Sequence, residues 1–125
     1  QMGMAIGLSL GGHLPVCVFP RWNFLICATN QLVDHLDRLE LISEYRPKVL
    51  VRVATPSSHP FNPGPQHSDD FAIAFTAMLR NVKIDYLEHV QDIVPAYEAA
   101  MRRSCSTILV EYTDHYRNER GNVSR

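Results

Sequence analysis

The sequence has little of what marks the more easily recognised protein classes. Its formal net charge is only −1, with acidic and basic residues interspersed, so the strongly positive surface of a nucleic-acid-binding protein is not expected. No apolar run reaches the roughly 18 residues that a transmembrane helix needs, so a membrane partner is not expected either. The chain has no internal repeat and no low-complexity tract.

Cysteine is scarce and does not follow a metal or disulfide pattern. Cys17, Cys27 and Cys105 are an odd number, widely spaced and embedded in apolar sequence. They predict buried thiols in a reducing, cytoplasmic setting rather than a disulfide framework. No C-x-x-C pair is present, so a cysteine-based zinc site has little support.

Common catalytic and phosphate-binding motifs are also missing. Without G-x-G-x-x-G or G-x-x-x-x-G-K-[ST], a self-contained dinucleotide or P-loop site is unsupported, and without G-x-S-x-G a serine hydrolase is disfavoured. His59 and His67, together with Asp69 or Asp70, do not have the spacing of a known zinc site. No metal site is therefore predicted.

What the sequence does contain is an alternation of helical and strand patterns. With 125 residues, of which 46% are hydrophobic, the chain can form one domain with a real core. The alternation predicts a three-layer α/β/α sandwich on a mainly parallel sheet. Helices are expected at 1–12, 22–43, 69–79 and 92–103, and strands at 13–19, 47–54, 82–88 and 106–112.

The expected domain spans residues 1–116, followed by a polar tail at 117–125. The first helix has no strand before it, and the chain begins with Gln1 rather than methionine. The sheet is therefore expected to lack one or more N-terminal strands, as it would in a piece of a longer protein.

One loop stands out by its composition. The stretch HPFNPGPQHSDD begins in a loop predicted from Thr55 to Ser68, where proline fixes φ and Gly64 supplies permissive geometry. Ser68 is expected to cap the following helix, with two acids in its first turn. Loops this long in a compact domain are usually functional or disordered.

A second segment belongs to the same predicted edge of the sheet. FPRWNF follows the first strand and GPQHS follows the second, so both lie beyond the carboxyl ends of parallel strands. Open α/β sheets bind ligands at that edge. Each aromatic residue of the first segment, taken alone, is more typical of core or interface packing.

Together these segments resemble a known family. GMAIGLSLGGHLPV, RWNFLICATNQLVDH, GPQHSDDFAIAF and AAMRR with ILVEYTDHY cover nearly the whole chain. They are similar to the pyrimidine-binding domain of thiamine-diphosphate enzymes in the transketolase superfamily. The greatest similarity is to the beta subunit of the decarboxylating component of 2-oxo acid dehydrogenases.

The resemblance implies specific roles. The histidine of GPQHS, here His67, would act at the reacting substrate, and Gln66 beside it would contact the cofactor. The aromatic shelf for the aminopyrimidine ring would be Trp22, or else Phe24. The thiamine diphosphate would be shared with a diphosphate-binding alpha-type subunit or domain that also holds its magnesium ion, in a homo- or hetero-oligomer.

The chain also departs from the family. The glutamate that activates thiamine would fall shortly before Gln1 and is not in this sequence, and RRSCST replaces the acidic stretch that precedes the last strand, which puts a structural potassium site in doubt. Two alternatives therefore stay open. One is a non-catalytic binding or assembly module on the same fold, and the other is an unrelated small α/β enzyme that uses His67 with Asp69 or Asp70.

Overall fold

A computed structural model describes residues 1–55 and 62–115, and all structural statements below concern that part of the chain. The short apolar runs rich in β-branched residues form parallel strands. All three strand pairings are parallel, in the order β1-β2-β4-β3. The strands are β1 (Val16–Phe19), β2 (Leu50–Ala54), β3 (Lys83–Leu87) and β4 (Thr107–Glu111).

Helical segments connect the strands, since neighbouring parallel strands need a crossover connection. They are α1 (Met2–Leu10), α2 (Trp22–Ile26), α3 (Leu39–Ile42), α4 (Ala72–Met78) and α5 (Ile93–Arg102). A π-helical turn (Gln31–Leu36) separates α2 from α3, and 3₁₀ turns lie at Pro65–His67 and Val90–Asp92.

The sheet is covered on both faces, which confirms the three-layer α/β/α architecture. Alternate residues of each strand point to opposite faces. Val51, Val53 and Ile108 pack into the larger core with α1, α2, the π-helical turn and α4. On the other face, Leu50 and Leu109 pack against α5 in a smaller cluster.

The helix expected over 22–43 is interrupted. The amide of Leu32 donates to Ala28 O in the α-helical pattern, whereas the amide of Asp37 donates to Leu32 O, one residue further back. This widened turn coincides with the point where the Asp37 carboxylate binds the backbone of another segment. A single uninterrupted helix was therefore a wrong expectation.

The start of α4 also differs from expectation. The Ser68 hydroxyl donates to Gly64 O at 2.7 Å within its own turn, so it does not cap the helix. The Asp70 carboxylate instead accepts the amide of Ala72 at 2.9 Å, and α4 begins at Ala72. A serine within reach of a carbonyl in its own turn is satisfied locally.

The three thiols are not all buried as expected. Cys17 is buried in the core and its surroundings raise the pKa of its thiol, mainly through desolvation. Cys27 is exposed and Cys105 is partly buried. Within residues 1–55 and 62–115, no helix has the length and hydropathy needed to cross a membrane.

Candidate functional site

The candidate site lies beyond the carboxyl ends of β1 and β2. β1 ends at Phe19, and the chain turns through Pro20 and Arg21 into α2. Because β1 and β2 are parallel neighbours, the segments that follow them meet at the same edge of the sheet. The 3₁₀ turn Pro65–His67 packs there against α2.

Two of the sequence-predicted site residues meet at this edge. The rings of Phe24 and His67 stack with their centroids 5.9 Å apart and their planes inclined by only 8°. One residue comes from the segment after β1 and the other from the segment after β2. The fold therefore brings together two motifs that are far apart in the sequence.

The backbone around His67 is held by a compact turn. Gly64 has φ of 81°, in the left-handed region that favours glycine. Its carbonyl accepts the amide of His67 at 3.0 Å, while its own amide donates to Asn62 Oδ1 at 2.9 Å. The turn around Gly64 therefore fixes the backbone position from which the His67 side chain extends.

The His67 side chain itself lacks a polar anchor. The residue is half-buried, and its Nδ1 is buried without a hydrogen-bond partner in the described part of the chain. The adjacent Gln66 is exposed. No polar contact within the described residues therefore fixes the orientation of the imidazole.

The two aromatic candidates for a cofactor shelf have different surroundings. Trp22 is 0% exposed and stacks on Phe75, with ring centroids 5.3 Å apart and an interplanar angle of 22°. Phe24 is 47% exposed. Cofactor contact stays a prediction for both, but of the two only Phe24 offers an accessible ring.

A cleft of about 570 Å³ opens beside Phe24. This volume is within the range of about 300–1,000 Å³ that is typical of small-molecule sites. No residue that lines it has a charged side chain, and two amides, those of Gln1 and Gln31, provide polar groups. The lining residues are Gln1, Met2, Gly3, Met4, Phe19, Pro20, Phe24, Cys27, Ala28 and Gln31.

The N-terminus of α1 and the end of β1 meet at this cleft. The Gln1 side-chain amide donates to Val18 O at 2.9 Å, and Met2 and Ala5 enter the core beneath. The cleft therefore lies between two elements that are anchored in the core.

Asp70, close to His67 in the sequence, accepts hydrogen bonds from groups other than His67. One Asp70 oxygen accepts the amide of Ala72 and the other accepts the Tyr112 hydroxyl, both at 2.9 Å, while Asp69 is exposed. Burial and the neighbouring Asp70 raise the pKa of Tyr112. The described residues contain no hydrogen bond between His67 and either aspartate, so the arrangement that a His–Asp enzyme would need is not formed.

The described residues also do not form a cluster of metal-binding side chains. Among residues 1–55 and 62–115, no group of three or more His, Cys, Asp or Glu side chains is placed to hold a metal ion. His59, considered above as a possible ligand, lies outside the described residues.

Comparison with known proteins gives one distant similarity. The chain is 26% identical over 109 residues to the mitochondrial pyruvate dehydrogenase E1 component subunit beta of Caenorhabditis elegans. The alignment covers 87% of this chain but only 31% of the relative, so the chain spans less than a third of that protein. No protein-family model matches the chain.

Sequence reasoning missed much of the cleft. Its motifs pointed to Phe24 and His67, but not to Gln1, Met4 or Gln31, which line the opening from α1 and the π-helical turn. No motif marks these residues. The available signal was the absence of charged residues from the first helix.

Proposed function

We propose that this chain is the aminopyrimidine-binding part of a thiamine-diphosphate-dependent 2-oxo acid dehydrogenase, an enzyme that decarboxylates a 2-oxo acid and passes on the acyl group. The observation that carries the proposal is the stacked pair of Phe24 and His67 beside an uncharged cleft. The distant similarity to a pyruvate dehydrogenase E1 beta subunit supports the same reaction class.

The residues of the cleft fit the pyrimidine ring of the cofactor. A neutral heteroaromatic ring suits a wall formed by Phe24, and its polar edge suits the amides of Gln1 and Gln31. The cleft has no cationic side chain for a diphosphate. An alpha-type partner subunit or domain would therefore hold the diphosphate and its magnesium ion.

In this proposal, Phe24, Gln66 and His67 each have a role. When bound, thiamine diphosphate supplies the electron sink for decarboxylation. Phe24 contacts the pyrimidine ring through its exposed face, and Gln66 extends from the same turn as His67. His67 donates a proton to a developing oxyanion or to the acceptor, as a positioned histidine does in general acid–base catalysis.

Trp22 has a supporting role in this scheme. Its ring is fully buried against Phe75, so it holds α2 in the core rather than facing a ligand. This arrangement favours Phe24 over Trp22 as the shelf for the pyrimidine.

Assembly is part of the same proposal. Helix α1 has no charged residue and exposes Met4 at 73% and Leu8 at 45%, an apolar surface typical of an interface. We expect a dimer or larger assembly through α1 and the helical segment that follows Trp22, in addition to contact with the alpha-type partner.

A titration with thiamine diphosphate tests the function. We expect the chain alone to bind more weakly than about 1 mM, equivalent to only about 4 kcal/mol, because the diphosphate contacts are outside this cleft. Bound ligand should shift the NMR signals of the cleft methyl groups, Met4 and Ala28. Phe24→Ala should abolish these shifts, whereas Leu41→Ala, at a 61% exposed site on α3, should preserve them.

The outcomes separate the alternatives. Tighter binding upon addition of a diphosphate-binding alpha-type subunit supports the enzyme. Shifts that lie outside the cleft contradict the site. Stable assembly with that subunit without any cofactor binding favours the non-catalytic assembly module.

A further inference from the structure

We propose that Phe24 is a positioning residue that fixes the plane of the His67 imidazole, an inference that rests on the catalytic role proposed above for His67. The two rings are stacked and nearly parallel, with an 8° interplanar angle and a 5.9 Å centroid separation. Phe24 thus has a role towards the histidine in addition to any contact with the cofactor.

The His67 imidazole lacks a hydrogen bond at Nδ1 in the described part of the chain. A histidine that transfers protons is commonly oriented by a hydrogen bond from one ring nitrogen to a carbonyl or carboxylate. In the described part of this chain, His67 Nδ1 is buried and has no such partner. Asp70 does not replace it in the described part of the chain, since its oxygens accept the Ala72 amide and the Tyr112 hydroxyl and no hydrogen bond joins it to His67.

The backbone provides only part of the missing restraint. The amide of His67 donates to Gly64 O at 3.0 Å, which fixes the position of the main chain. It leaves the side-chain torsions free. Contact with the face of a second ring restricts the plane of the imidazole without using either nitrogen.

Phe24 is suited to this task because its helix is firmly held. Trp22 and Leu25, on the same short helix, are both 0% exposed, and Trp22 stacks on Phe75 of α4. The Phe24 ring therefore projects from an anchored element towards a histidine on a loop. Because Nδ1 is buried, we assign proton transfer to Nε2.

The same ring also borders the cleft. Phe24 is one of its lining residues, whereas His67 is not. The phenyl ring therefore separates the cleft from the imidazole and contacts both. A ligand in the cleft that tilts Phe24 would change the orientation of His67.

Proton NMR of the imidazole signals tests the stack without any cofactor. The chain has six histidines, and His67→Gln identifies the signals of His67 by their loss. The ring current of Phe24 should place the His67 carbon-bound proton signals upfield. Phe24→Leu, which keeps apolar bulk but removes the ring, should shift them downfield, and Phe24→Tyr should retain the upfield position.

Folding is checked in the same samples. The matched control Leu41→Ala should leave the His67 signals unchanged, and circular dichroism should show that all variants are folded. If Phe24→Leu is folded and its His67 signals do not move, the rings do not stack in solution and the proposal is overturned.

Kinetics of the assembled enzyme test whether the stack matters for proton transfer. Phe24→Leu should lower kcat about tenfold or more with less than a twofold change in KM for the 2-oxo acid, since a misplaced catalytic group slows the chemical step. Phe24→Tyr should restore kcat.

An unchanged kcat in Phe24→Leu overturns the positioning role. Absence of turnover in the wild-type assembly refutes the proposed function instead, and the NMR result then decides whether Phe24 orients His67.

Discussion

Asp37 Oδ1 accepts the backbone amide of Val82 at 2.8 Å and so joins the end of the π-helical turn to the start of the segment that forms β3. The same carboxylate also accepts the amides of Arg80 and Asn81. Asp37 is 0% exposed, so this is a buried carboxylate whose partners are mainly main-chain donors.

Removal of this carboxylate should destabilise the fold. Asp37→Ala leaves several amides without an acceptor, and we expect a loss of about 3 kcal/mol in the free energy of unfolding. Urea denaturation measures it. Asp34→Ala is the control, because Asp34 is exposed and accepts a hydrogen bond from the Asn30 side chain. Its loss should stay within about 0.5 kcal/mol. Equal effects from the two variants would contradict the structural role of Asp37.

Tyr112 should make stability fall at alkaline pH. Burial, followed by Asp70, raises its pKa in the folded state above the usual value of 10.0. Between those two pKa values the unfolded state has lost the phenolic proton and the folded state has kept it, so the free energy of unfolding decreases as pH rises above about 10. Tyr112→Phe should show a shallower decrease in alkaline denaturation curves. Tyr45→Phe, at a 63% exposed site, serves as control and should follow the wild type.

Substitution of His67 should separate chemistry from folding. The residue is only half-buried and its side chain has no hydrogen bond within the described residues, so His67→Ala should change stability by no more than about 0.5 kcal/mol. Turnover of the assembled enzyme should fall about 100-fold or more, as for loss of an acid–base group. A large drop in melting temperature with unchanged turnover per folded molecule would identify His67 as structural.

Trp22 and Phe24 should show opposite effects. Trp22→Ala empties a fully buried site against Phe75, and we expect a loss of about 3–5 kcal/mol of stability. Phe24→Ala should cost much less stability but abolish the ligand-induced shifts in the cleft. Thermal unfolding and the thiamine diphosphate titration are measured on both. If Trp22→Ala is as stable as the wild type but loses binding, then Trp22 contacts the cofactor.

Gly7→Ala tests association through α1. A Cβ at Gly7 would meet nothing within 4 Å in the monomer, so the variant should fold and gain about 0.5–1 kcal/mol from helix propensity. At a close helix–helix contact the added methyl group would keep the helices apart. Light scattering should therefore show weaker association than in the wild type. A wild-type chain that is monomeric at micromolar concentration would contradict the proposed interface.

The sequence predicted the fold well where the signals are local. The β-branched runs correctly indicated four parallel strands, and the small and apolar residues that end at two glycines correctly indicated the first helix. The interruption after Ile26 was not predictable, because Leu25, Leu32 and Leu36 continue a helical spacing across it. At the end of the π-helical turn, the Asp37 carboxylate accepts the backbone amides of residues 80–82. No local pattern reveals this contact between distant segments.

The candidate site was also predicted only in part, because local sequence patterns reveal some of its residues but not the contacts between distant segments. Both Phe24 and His67 could be named from their motifs, and their meeting follows from the parallel sheet. The burial of Trp22 could not be derived, because aromatic residues two positions apart on a short helix look alike in sequence. Only the position of Phe75 on α4 shows which ring is enclosed.

The strand order has a consequence for synthesis on the ribosome. β4 pairs with both β2 and β3, which do not pair with each other. A nascent chain that has not yet released Thr107–Glu111 can join β1 to β2 but has no neighbour for β3. Of the four described strands, β4 comes last in the chain, so β3 can join β1 and β2 in this sheet only after Thr107–Glu111 has emerged.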